Sequence, residues 1–429
     1  MEIDCLVLVP EVSQRVTYTF KMVLEENLGL KTGFTDNPEN YLAFEGIKIN
    51  YTIERRSEQE VFLPSCGLLL EEEIRQLEID PDIKEDIPYF FPVEASASDC
   101  KYDLPAMIFF MLSRYEEYWL FEGDRHGRFA AGQSLASKYG FLRIPVVNIW
   151  INLIKEQVRK KYPGAGLLEK KYHFQPTYDV DMAWAFRNRG LRSAGGWVKD
   201  FIKLNFKNIR QRQLSISDKA KDPFYTFGQL EDLHRKNDLH PYWFFLMGNY
   251  GGVDKSISWK KPEFRELIGT IAQPAFIGIH PSIASNENFD LLEREIFRLG
   301  VIKKSPVHRS RQHYLMLSFP ETYKNLLRAG IREDFSLGYA DDIGFRAGFA
   351  GDFFWYDLEA ETPTTLRIYP FQVMDVTLKN YLQLTPREAM EEIDDIVQQV
   401  KLHGGTFISL WHNSSFAASH GWEGWFEVY

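Results

Sequence analysis

Cysteine is scarce in this chain. Cys5, Cys66 and Cys100 are odd in number and widely spaced, so they supply neither a disulfide framework nor the paired spacing of a structural zinc site. A reducing, cytoplasmic compartment fits that usage. Basic charge is also short. The 50 Lys and Arg stand against 60 Asp and Glu for a net charge of −10. That argues against a nucleic-acid partner, because phosphate binding needs a cationic surplus. Long apolar runs are missing: no window approaches the roughly 18 uninterrupted apolar residues of a transmembrane segment. The opening Met1–Pro10 carries two acids, lacks a basic region and is too weakly apolar for a secretory signal. The sequence therefore reads as a soluble protein without a secretory address.

What is present is a folded protein's balance of 45% hydrophobic and 26% charged residues. The length of 429 residues exceeds one ordinary core, so two domains are expected. Aromatic content is high at 15%, which matters near any carbohydrate site. The break Pro163-Gly164-Ala165-Gly166 is the best boundary in the chain. It divides residues 1–165, read as a smaller α+β domain of unknown role, from residues 166–429. In the first part Cys5–Val9, 44–53 and 61–67 read as strands, and 15–28, 103–118 and 145–162 as helices.

Beyond the break the pattern alternates between strand and helix. Strands are predicted over 172–181, 239–247, 274–280, 309–317, 334–339, 365–369 and 405–412. Phe264, Leu267, Ile268 and Ile271 recur at helical spacing, as do Leu292, Ile296 and Leu299. Thr385-Pro386-Arg387-Glu388 is a capping box that opens a helix with Ile393, Ile396, Val397 and Val400 on one face. Seven strands alternating with helices predict a parallel α/β sheet, and over this length a (β/α) barrel.

In such a barrel chemistry collects at the C-terminal strand ends. The first strand ends in Asp179 and Asp181, which share a face about 6.6 Å apart along the backbone. Asp is common at solvated strand ends and helix caps, so the pair alone says little. The third strand, however, ends in His280 and the seventh in His412, in a chain with ten histidines. On a continuous fourth strand Arg311 and His313 would share a face. A set of Asp and His with an open position suits a hydrolytic divalent metal, Zn²⁺ or a relative.

These residues resemble the motifs of the polysaccharide deacetylase family, whose NodB-homology fold is a distorted (β/α)7 barrel. Thr177-Tyr178-Asp179-Val180-Asp181 resembles the first motif, with a catalytic base followed by a metal ligand. Phe276–Ser282, containing His280, is similar to the second. Ser310-Arg311-Gln312-His313 lies where the family has an arginine that orients the base. Phe407–His412 resembles the closing segment, whose histidine is the general acid. The resemblance covers about residues 170–429, and residues 1–165 look like the accessory domain found ahead of some such barrels. It implies Asp179 as base, His412 as acid and Arg311 as the orienting residue. Asp181, His280 and His313 would hold the metal, with Arg346 and Trp411 toward a carbohydrate substrate. The implied activity is metal-dependent removal of N-acetyl groups from an amino-sugar glycan or its precursor.

The pattern departs from the family in three places. The second histidine of the second motif is Ala284, the closing segment is one residue short, and the Arg-Pro-Pro-Tyr form of the third motif is absent. His313 is the candidate replacement ligand, with Ser282, Asn286 and Asp342 as alternatives. The missing histidine also supports a different reading: a non-catalytic glycan-binding or scaffold protein with a degenerate barrel.

Overall fold

A run of four consecutive buried residues, Cys5–Leu8, forms strand β1, as expected of a strand covered on both faces. It pairs with Thr32–Thr35 (β2) and Ile47–Asn50 (β3), and β3 with Val61–Phe62 (β4), in the order β2-β1-β3-β4. All three pairings are parallel. The α+β expectation is narrowed to this extent: the sheet is parallel, with helices crossing from β1 to β2 and from β2 to β3 and a loop from β3 to β4, while Asp82–Lys84 and Ile87–Tyr89 form an antiparallel hairpin. The computed structural model describes residues 3–94, 100–187, 206–252, 254–273 and 275–429. Pro274, expected at the head of a strand, lies outside them. Among the described residues no helix is long and apolar enough to cross a membrane.

The chain folds into two compact units. Unit 1 comprises Met1–His173, Gly344–Pro370 and Ile396–Phe407; unit 2 comprises Phe174–Ile343, Phe371–Asp395 and Ile408–Tyr429. In unit 1 the helix Leu104–Leu112 is buried throughout. Its cap, Asp103, accepts from the Ala106 N–H (2.8 Å), the Tyr51 hydroxyl (2.7 Å) and the Cys66 N–H (2.8 Å). The single helix expected over 103–118 stops at Leu112. Arg114 takes a left-handed conformation (φ 54°), and a tight turn follows over Tyr115–Tyr118. The break lets the buried Arg114 guanidinium donate to Glu116 and Glu117, each at 2.8 Å. Arg346 completes this buried cluster, its Nε donating to Glu117 at 2.9 Å. An antiparallel hairpin of Phe353–Asp357 and Thr362–Ile368 also belongs to unit 1.

Seven strands lie in unit 2 for all or most of their length. They are Tyr172–Val180, Tyr242–Leu246, Phe276–His280, Arg309–Ser310, Glu333–Asp334, Val373–Met374 and Gly405–His412, here β5 to β11 in chain order. Their spatial order is β9-β8-β7-β6-β5-β11-β10. The pairs β5/β6, β6/β7, β7/β8, β8/β9 and β10/β11 are parallel. One backbone bond, from the Phe371 N–H to the Leu337 carbonyl at 3.1 Å, joins the segments beside β9 and β10. No ladder among the described residues closes the sheet into a barrel.

Three expected strands differ, the fifth (expected over 334–339) being only Glu333–Asp334. The fourth, expected over 309–317, ends at Ser310, and His313–Leu315 is a tight turn. The sixth parallel strand is Val373–Met374, not 365–369, which lies in the antiparallel hairpin of unit 1. A two-residue strand carries no readable periodicity. The capping box does form: the Glu388 carboxylate accepts from the Thr385 N–H at 2.8 Å and its hydroxyl at 2.7 Å.

The outer face of β5 carries a testable core feature. Tyr178 stacks on Trp243 with ring centroids 4.2 Å apart, and its hydroxyl lies 2.6 Å from His234 Nε2. Burial pulls His234 from 6.5 down to about 4. With the folded value depressed, the unfolded chain takes the proton first as pH falls. The stabilisation is complete above pH 6.5 and is lost as pH falls through about 4. It amounts to on the order of 3 kcal/mol. Urea unfolding of His234→Gln between pH 7 and 4.5 is expected to lose about 2 kcal/mol less than the parent chain. An identical pH profile would remove His234 as the cause.

Candidate active site

Strand parity gathers the polar residues of unit 2. On β5, Thr177 and Asp179 take one face while Tyr178 and Val180 take the other. On β7, Gly278 and His280 share a parity, and Ile277 and Ile279 point oppositely and are buried. Gly278 pairs with Phe244 of β6. A Cβ at Gly278 would stand 2.5 Å from the Phe244 ring, so glycine leaves the ring its place. Phe244 in turn underlies Arg311, whose guanidinium carbon is 4.6 Å from the ring centroid.

Arg311 is fully buried and each arm is engaged. Nη1 donates to Asp179 Oδ1 (3.1 Å), Nη2 to the Thr177 hydroxyl (2.7 Å) and Nε to the Phe335 carbonyl (2.9 Å). Burial lowers its pKa, and Asp179 counters in part. Such a guanidinium fixes both the position and the orientation of the Asp179 carboxylate.

Asp181 lies one residue beyond β5. Its Oδ1 is 3.3 Å from His280 Nε2, and its Oδ2 is 3.6 Å from His313 Nε2 and 3.9 Å from His412 Nε2. Asp181, His280 and His313 each offer one ligand atom, and these atoms lie within 4.8 Å of one another. The hydrogen bonds assign the tautomers. His280 Nδ1 is 2.6 Å from the Arg311 carbonyl, which can only accept, so Nδ1 holds the proton. By the same logic His313 Nδ1 donates to Asp254 Oδ1 at 2.7 Å. In the neutral form of each ring, Nε2 then presents a lone pair toward Asp181.

Asp181 Oδ1 and His280 Nε2 are buried without a hydrogen-bond partner. Two facing acceptors at 3.3 Å repel unless a cation or an extra proton lies between them. One carboxylate oxygen and two imidazole nitrogens are also the donor types of a catalytic divalent metal, with positions left open. The residues present fit such an ion. With protons in its place, burial would raise the Asp181 carboxyl, but His313, His280 and His412 hold it well below the usual carboxylate range. Burial lowers His313, and Asp181 and Asp254 push it up to about 9.

His412, at the end of β11, is gripped twice by one wholly buried carboxylate. Asp375 Oδ1 lies 2.9 Å from Nδ1, and Oδ2 accepts from the His412 backbone N–H at 2.7 Å. Burial lowers the imidazole, and Asp375 first among the carboxylates pushes it up to about 10.

Asp179, Asp181, His280, Arg311, His313 and His412 are thus brought together. Arg346 belongs to unit 1 and pairs there with Glu117. Trp411 has the opposite strand parity to His412, is buried, and packs on Phe416 and Tyr429 at 5.3 and 5.4 Å. Of the alternative ligands, Ser282 is bonded to Glu295 through its N–H and hydroxyl. Sequence reasoning missed Asp254 and Asp375. Asp375 ends the mostly apolar run Phe371–Met374, the same signature that marks Asp179. Asp254 lies in a loop and gives no such signal.

Residues 5–163 match the model of DUF7033, a family of unknown function. No curated protein matches the chain. Among solved structures, a Mycobacterium smegmatis protein provisionally described as a polysaccharide deacetylase is similar at 14% identity and a TM-score of 0.40. The match covers 60% of this chain and 81% of that one.

Proposed function

We propose that this chain is a metal-dependent hydrolase that removes N-acetyl groups from an amino-sugar glycan or glycan precursor. Unit 2, which carries all the candidate catalytic and metal-binding residues, would be its catalytic part, an open relative of the (β/α)7 barrel, and residues 1–165 would be accessory. The observation that carries the reading is the buried, unpartnered pair Asp181 Oδ1 and His280 Nε2, 3.3 Å apart. Asp181, His280 and His313 would hold the ion, Zn²⁺ by donor type. A divalent cation there supplies Lewis-acid polarisation of the acyl carbonyl and eases deprotonation of the attacking water.

The chain's own residues do the rest. Asp179, positioned by Arg311, takes the proton of the attacking water. His412, held by Asp375 through Nδ1, gives a proton from Nε2 to the departing nitrogen, because an amine does not leave as an anion. The carbohydrate substrate rests on the four motifs and their order. Arg346 and Trp411 are buried and engaged with their own neighbours, so the reading gives them no contact with substrate.

Incubation with chito-oligosaccharides tests the whole. Acetate release is expected, lost on chelation and restored by Zn²⁺. A chain that takes up no metal and releases no acetate would be the scaffold of the alternative reading. Release from O-acetyl but not N-acetyl substrates would keep the hydrolase and change its substrate.

A further inference from the structure

His313 reaches the cluster from a turn, and turns need support to hold a side chain still. Tyr314 and Leu315, the next two residues, are both left-handed at φ 58° and 54°. Neither is glycine, and such conformations cost on the order of 1–3 kcal/mol each. A cost of that size persists only where the surroundings enforce the geometry. The backbone of the turn is held by the His313 N–H on the Pro281 carbonyl (3.2 Å) and the Gln312 N–H on the Ser336 hydroxyl (2.8 Å). The His313 ring is held by Asp254, whose Oδ1 accepts from Nδ1 at 2.7 Å and from the Ile283 N–H at 3.3 Å.

Asp254 is itself held. Its carbonyl accepts from the Gly251 N–H at 3.0 Å, and the Ser256 hydroxyl donates to the Gly248 carbonyl at 2.6 Å. Gly248 sits so close to Ser282 that an added Cβ would lie 2.7 Å from the serine Cβ. Ser282 is anchored in turn on Glu295 through its N–H (2.8 Å) and hydroxyl (2.6 Å). The loop after β6 is thereby fastened to the segment after β7, with Asp254 aimed at the ring. The other ligand imidazole, His280, is backed by the neutral carbonyl of Arg311.

We propose that Asp254 is the positioning residue that makes His313 a metal ligand. Its carboxylate keeps the proton on Nδ1, turns Nε2 toward Asp181 and strengthens that nitrogen as a donor. The role rests on the metal-hydrolase reading above. An asparagine at 254 fills the same space but carries no charge. If it turns its amide toward Nδ1, the ring proton moves to Nε2 and the lone pair is lost.

The test is titration of the full-length, metal-stripped chain with Zn²⁺ against a competing chelator, and with Co²⁺ followed by its visible absorption. Asp254→Asn is expected to weaken binding by about tenfold to a hundredfold and to shift the Co²⁺ spectrum. Asp254→Ala, which removes the acceptor altogether, is expected to weaken it at least as much. Thermal melting of the metal-free proteins checks that each folds. In a His313→Ala background, Asp254→Asn should add little, because the two act through one ring. A purely structural role would weaken both backgrounds equally, and that result overturns the proposal. Parental affinity in Asp254→Asn overturns it while leaving the hydrolase reading intact, provided His313→Ala loses metal. No stoichiometric metal in the parent chain overturns both.

Discussion

Asp179→Asn is expected to keep its metal and to lose turnover by about 10²- to 10⁴-fold, the usual range for a removed general base. Asparagine has the same shape and its carbonyl can still accept from Arg311 Nη1, now at 3.1 Å from Asp179 Oδ1. The buried guanidinium therefore keeps two of its three contacts unchanged, to Thr177 and Phe335, and the fold should survive. What is lost is the ability to take a proton. Metal content by elemental analysis beside kcat on an acetylated oligosaccharide separates the two effects. Turnover near the parental rate would place the base elsewhere.

Asp181→Asn should fail differently. Asp181 Oδ1 is a candidate ligand atom, so the variant is expected to lose metal affinity by more than about a hundredfold, the upper end of the loss for a residue that only supports a ligand. The metal-free variant should also be less stable than the parent at neutral pH, because the His313 and His412 imidazoles that hold the Asp181 carboxylate ionised lose their counter-charge. Calorimetric metal titration and urea unfolding of the stripped proteins measure both. A variant that binds metal like the parent would remove Asp181 from the ligand set.

How much of this arrangement the sequence shows depends on the kind of residue. Asp179, Asp181, His280 and His412 can be located in advance because each closes or follows a readable strand, and parallel strands bring their ends together. His313 is reached by the wrong route. Strand parity pairs it with Arg311, whereas the chain leaves the strand at Ser310 and delivers the ring from a left-handed turn. Asp254 and Asp375 are hidden for different reasons. Asp254 sits in a loop, whose conformation is set by contacts distant in sequence, and Asp375 follows a strand of two residues, too short to show a period. The same limit hides the composition of unit 1, which draws in Gly344–Pro370 and Ile396–Phe407 through non-local pairing.

Arg311 and the rings of Phe244, Phe335 and Phe371 around it close the inner side of Asp179. On the proposed reading, a proton taken up by Asp179 has a cation and aromatic rings behind it, and the imidazole nitrogen beside it, His280 Nε2 at 3.7 Å from Oδ2, would be engaged by the metal. Resetting the base would then be tied to solvent reaching the site as the products leave.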